Sequence, residues 1–135
     1  MKNSSKVILA IVLAGLWISF SEFLRNEFVL KHYWINHYQT MGLTFPSETI
    51  NGVLWAIWSY ILAISIYLIS RKFNWLESAL ISWLMSFVLM WVVIGNMGVL
   101  PSQILYSAIP LSLIEVFFAS FIIDQITREK VSKIS

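Results

Sequence analysis

Four apolar runs, at residues 7–24, 50–70, 73–95 and 101–123, constrain this chain more than any other feature. Each approaches the ~20 residues that a helix needs to cross ~30 Å of hydrocarbon. Lipid offers no partner to an unpaired N–H or C=O, so runs of this length imply helices that satisfy their own backbone. The charge content fits. Charged residues are 12% of the chain, about half of the ~25% usual in a soluble domain. The expected fold is therefore all-α: an integral membrane four-helix bundle with up-down topology, forming a single transmembrane domain over residues 1–135. The apolar stretch after Lys6 continues too far for a cleaved leader and is read as an uncleaved first helix.

Basic residues orient the spans. Lys2, Lys6, Arg71, Lys72, Arg128, Lys130 and Lys133 fall on one side, seven of the nine Lys and Arg in the chain. The other side carries Arg25 and Lys31, offset by Glu22, Glu27 and Glu48. The positive-inside rule places both termini in the cytoplasm, in a multi-pass protein of the inner (plasma) membrane. These charges flank apolar runs and form no single patch, so no nucleic-acid partner is expected; membrane lipids are. The absence of cysteine excludes thiol redox chemistry, disulfides and Cys-ligated metals.

Within the spans, Glu115 stands alone as the charged residue of 101–123. An acidic side chain in hydrocarbon costs at least ~2.5–3.5 kcal/mol on insertion scales, so it usually faces protein or water and marks a candidate site. It shares a helical stripe with Ala108, Ser112 and Ala119, so it is expected to point into the bundle. Similar small stripes run along Gly52, Ala56, Ser59 and Ala63, and along Ser78, Ser82 and Ser86. Small residues at this spacing let helix backbones approach closely in lipid. The candidate binding or proton site is Glu115 with Ser112, Ser82, Ser86 and Trp83. No basic residue is expected at that depth, so the carboxyl is expected as the neutral acid, bonded by serine hydroxyls. Pro110 removes one backbone donor and frees the Tyr106 carbonyl.

The first loop is long for a bundle connection. Its start reads as helical, with Glu27 and Lys31 an i,i+4 pair in the favourable order. It is expected to extend helix one, as a continuation or a bent interfacial helix, to about His37. Glu22, Arg25 and Asn26 at the exit of helix one, with Asn51 opposite, form a candidate outer polar mouth. His32 and His37 are five apart, a poor spacing for one helix face, so no metal site is expected. No phosphate-binding glycine loop or nucleophile elbow is present, and no cofactor is expected.

Over its whole length, in size and hydropathy, the chain resembles the small four-span inner-membrane proteins of bacteria. Small multidrug exporters also have four spans and a membrane glutamate, but theirs lies in the first helix and this one in the fourth, so no residue is carried over. Three functions remain open: a structural or accessory protein acting through helix packing with itself or a membrane-protein partner; a small oligomeric proton-coupled transporter using Glu115; or a membrane enzyme on a lipid-like substrate. The last lacks a second catalytic group in reach of Glu115.

Overall fold

The computed structural model describes residues 3–128 of the protein. Lys2, Lys130 and Lys133, used above to orient the chain, lie outside the described residues. Among these residues the fold is all-α, with four long helical rods: Asn3–Thr40, Thr49–Ser70, Trp75–Asn96 and Ser102–Thr127. All four are long and apolar enough to cross a membrane. The first rod consists of α1 (Asn3–Leu24), a π-helical segment (Arg25–Leu30) and α2 (Lys31–Thr40). The second is α3 (Thr49–Ser70). The third is α4 (Trp75–Trp83), a π segment (Leu84–Val88) and α5 (Leu89–Asn96). A short 3₁₀ turn (Ser102–Ile104) leads into α6 (Leu105–Thr127).

The rods form a four-helix bundle in which each packs on its neighbour in the chain. α1 lies against α3, α3 against α4, α4 against α6, and α6 closes the ring on α1. The short turn at 71–74 reverses the chain between the second and third rods, and that at 97–101 between the third and fourth.

Helix ends follow from local chemistry. Glu48 and Asn51 form a reciprocal capping box at the start of α3, with the Asn51 side chain accepting from the Glu48 N–H at 2.9 Å. Asn74 and Glu77 do the same for α4, at 2.9 and 3.1 Å. Gly98 ends the third rod with φ +76°, a conformation that side-chain-bearing residues rarely adopt. Asn74→Ala removes an acceptor from the first turn of α4 and is expected to cost about 1 kcal/mol. Reversible unfolding in mixed micelles measures this; Asn74→Asp, which keeps the acceptor, should stay near wild type.

The inside of the bundle mixes small and polar residues with larger apolar ones such as Ile18, Ile66 and Phe87, and the outside is large and apolar. Buried positions include Ala10, Ala14, Ala63, Ala79 and Ala119 together with Ser59, Ser78, Ser112 and Ser120. Outward positions include Leu16, Phe20, Ile57, Ile61, Leu80 and Phe118. Of the expected small stripes, those of α4 and α6 face inward, whereas Gly52 of α3 is exposed and Ala56 half-buried. α3 packs instead through Ser59, Leu62, Ala63 and Ile66. Two buried serines tie the layers. Ser120 Oγ donates to the Trp75 carbonyl at 2.7 Å, and Trp83 Nε1 donates to Ser112 Oγ at 2.9 Å.

Both π segments change which residues share a face. A π turn bonds i to i+5 and adds a residue to the turn. Arg25 and Leu30, five apart, are both buried. So are Ser82 and Phe87 in the third rod. Regular 3.6-residue spacing would turn one member of each pair away from the core.

Candidate functional site

The site grows from the inner stripe of the first rod. Ala10, Ala14, Ile18 and Glu22 follow one another at steps of four and are all buried. Arg25 continues that stripe. Because the rod runs unbroken to Thr40, Arg25 stands well inside a helix, about 33 Å from its start at 1.5 Å per residue. Glu115 lies close to the middle of α6.

These residues meet. The guanidinium of Arg25 pairs with the carboxylate of Glu22, one turn back on the same rod. Asn26 Nδ2 donates to Glu22 Oε2 at 2.9 Å and to the Glu22 carbonyl at 3.0 Å. Arg25 Nη1 also lies 3.6 Å from Oε1 of Glu115, within ion-pair range and beyond a hydrogen bond. The Arg25 guanidinium carbon sits 5.1 Å from the centre of the Phe87 ring, a cation–π contact. Exposure is 3% for Glu22, 7% for Arg25 and 1% for Glu115.

Helix polarity explains the convergence. Every Cα–Cβ bond tilts toward the N-terminus of its own helix. The first and fourth rods run in opposite directions, so Arg25 and Glu115 lean toward each other from different heights. Trp17 secures the contact, with Nε1 donating to the Glu115 carbonyl at 2.9 Å. Both π segments border the site, one supplying Arg25 and the other Phe87.

One guanidinium thus faces two carboxyl groups. The set is neutral when it holds one proton and carries a net negative charge when it holds none. In a dry interior an unbalanced charge is costly. Neither carboxyl oxygen of Glu115 takes a hydrogen bond among the described residues, and the Ser19 and Ser82 hydroxyls also lack partners.

The sequence predicts an outer mouth of Glu22, Arg25, Asn26 and Asn51 separate from Glu115, and no cation beside Glu115. The structure corrects both points. Glu22, Arg25 and Asn26 belong to the Glu115 cluster, because the expected continuation of helix one starts with a π segment in which Arg25 stays on the buried face. Asn51 stays in the first turn of α3 as the reciprocal partner of the Glu48 cap. Of the remaining candidates, Ser112 accepts from Trp83 and donates to the Ile109 carbonyl at 3.0 Å. Ser86 donates to the Ser82 carbonyl at 2.6 Å. Both serine hydroxyls thus spend their donors on helix carbonyls, while the Ser82 hydroxyl has no partner. A signal for the cluster exists in the sequence: the stripe from Ala10 through Glu22, continued one turn, reaches Arg25.

The first loop is helical to Thr40, and Lys31 Nζ bonds Glu27 at 2.9 Å. His37 Nε2 donates to the Gly98 carbonyl at 2.7 Å, tying the top of the first rod to the turn between the third and fourth. Among the described residues no group of three or more His, Asp or Glu gathers as a metal site. A cleft of about 590 Å³ beside Pro110 is lined by Ser102, Gln103, Leu105, Tyr106, Ile109 and Pro110, all from one segment. Tyr106 there is 88% exposed, so this is a helix surface and not an enclosed chamber.

Comparison with protein-family models, with curated proteins and with solved structures finds no match to this chain.

Proposed function

We propose that this chain is a four-span protein of the inner (plasma) membrane, with both termini cytoplasmic, and that it works as a structural or accessory component through helix packing. The distribution of side chains supports the bilayer placement: Leu, Ile and Phe cover the outside, while small residues, serines and an ion cluster are buried together with the apolar core. A soluble monomer rarely exposes apolar patches beyond a few hundred Å². In lipid, the outer faces need no cover, and association depends on close packing and interhelical polar contacts. The observation that carries the functional reading is the burial of Glu22, Arg25 and Glu115 as one unit between the first and last rods. Such a unit fixes the register of two helices and leaves the apolar outer surface for lipid, a second copy or a membrane-protein partner.

One observation favours a second reading. The two Glu115 oxygens without hydrogen-bond donors and the one-proton charge balance suit a proton-coupled transporter assembled from several subunits. Cysteine labelling separates the two readings, since the chain has no cysteine of its own. A thiol reacts as the thiolate and therefore needs water. Ser112→Cys is expected to resist a small methanethiosulfonate reagent in intact vesicles, while Lys72→Cys reacts from the cytoplasmic side. Rapid labelling of Ser112→Cys would favour transport. Labelling of Lys72→Cys only from outside would overturn the topology.

A further inference from the structure

The cytoplasmic end of the bundle holds a second polar site, distinct from the Glu115 cluster. A cavity of about 330 Å³ opens between the first, second and fourth rods. Three cations line it, one from each rod or its end: Lys6, Arg71 and Arg128. Among the described residues the acid in the lining is Asp124, whose Oδ1 forms an ion pair with Arg128 Nη2 at 2.8 Å. Among the described residues, three positive groups therefore line the cavity with one carboxylate that is already paired with one of them. A guanidinium has five N–H donors, so Arg128 keeps donors beyond those used on Asp124.

We propose that this cavity binds a phosphate group, and that its source is the headgroup of an anionic phospholipid with a neutral polyol, such as phosphatidylglycerol. The charge excess supplies the attraction for the phosphodiester, and guanidinium groups match phosphate oxygens in a bidentate fork. The cation excess disfavours an ammonium head, and the wall's hydroxyl oxygens can accept from a polyol. Ser70 Oγ donates to the Tyr67 carbonyl at 2.7 Å and Thr127 Oγ1 to the Ile123 carbonyl at 2.7 Å. Their protons are spent, so these oxygens accept. With Asp124 they offer acceptors to polyol hydroxyls. An ethanolamine ammonium would instead meet three cations. Val7 and Tyr67 supply an apolar wall, as a lipid anchored by its chains requires.

The lipid source rests on the bilayer placement proposed above; the phosphate chemistry does not, and the test keeps the two apart. The full-length protein in neutral detergent is titrated with phosphatidylglycerol and with phosphatidylethanolamine, and bound lipid is counted by native mass spectrometry. Inorganic phosphate is added as a competitor and, alone, in a thermal-shift series. Wild type is expected to retain phosphatidylglycerol over phosphatidylethanolamine by at least about fivefold, given ~1 kcal/mol per basic residue near an anionic surface. Lys6→Gln/Arg71→Gln is expected to lose that preference. Lys31→Gln, which removes the same kind of charge at the other end of the bundle, is expected to keep it. Thermal protection by inorganic phosphate, lost in the double variant and without lipid preference, would retain the phosphate site and reject the lipid source. Equal retention of both lipids with no phosphate protection, or an equal effect of Lys31→Gln, would overturn the proposal.

Discussion

Arg25→Leu is expected to destabilise the protein by about 3–5 kcal/mol, the cost of breaking a buried ion pair from one side. The substitution fills a similar volume but leaves the Glu22 and Glu115 carboxyl groups facing each other without their cation. It also removes the guanidinium from the Phe87 ring. Folded proteins hold only ~5–15 kcal/mol in reserve, so a loss of this size is readily seen in reversible unfolding from mixed micelles. Arg25→Lys should fall between: it keeps a charge but presents a compact ammonium in place of the planar fork that now meets two acids. The triple variant Glu22→Gln/Arg25→Leu/Glu115→Gln should recover most of the loss, because it removes the charges together. A fully stable Arg25→Leu would mean that the guanidinium has little to do with holding the first rod to the fourth.

Gly15→Ala should also destabilise, by about 1–3 kcal/mol, the usual range for overpacking a core. The sign is what makes this informative. In a helix interior Ala is normally favoured over Gly by ~1 kcal/mol. Here a Cβ at position 15 would stand 2.5 Å from both Cδ1 and Cε1 of the Tyr60 ring. Either the ring must swing or α1 must back away from α3, and the second response carries Glu22 and Arg25 with it. Gly15→Ala/Tyr60→Leu should relieve the strain and bring the intrinsic helix preference of Ala back into view. A gain in stability for Gly15→Ala alone would contradict the close approach of α1 and α3.

The four rods were legible in the sequence because length and apolarity alone define them, and the α6 stripe already pointed Glu115 inward. The Glu27–Lys31 pair was legible as well, being a property of local spacing. The depth of Arg25 was not. A basic residue just past an apolar run reads as an interfacial flank; the helix is expected to run on to about His37 and reaches Thr40, but an expectation that also allows a bent interfacial helix does not turn Arg25 toward Glu115. The π segments were equally hidden. An extra residue in a turn follows from tertiary packing, here around Arg25 and Phe87, and regular helical spacing misplaces every side chain beyond it. The start of α3 at Thr49 lies one residue before the apolar run at 50–70, with Glu48 serving as the cap and Asn51 as its reciprocal partner.

A double-mutant cycle between Arg25 and Glu115 tests most directly whether the first and fourth rods are joined by one charged unit. Stability is measured for wild type, Arg25→Leu, Glu115→Gln and the pair, under the same lipid and detergent conditions. Residues in one ionic network couple by ~0.5–3 kcal/mol, whereas distant sites add within ~0.3–0.5 kcal/mol. The account predicts a coupling of about 1–3 kcal/mol, with Glu115→Gln rescuing part of the Arg25→Leu loss. Additive losses, with a coupling inside about 0.5 kcal/mol of zero, would contradict it.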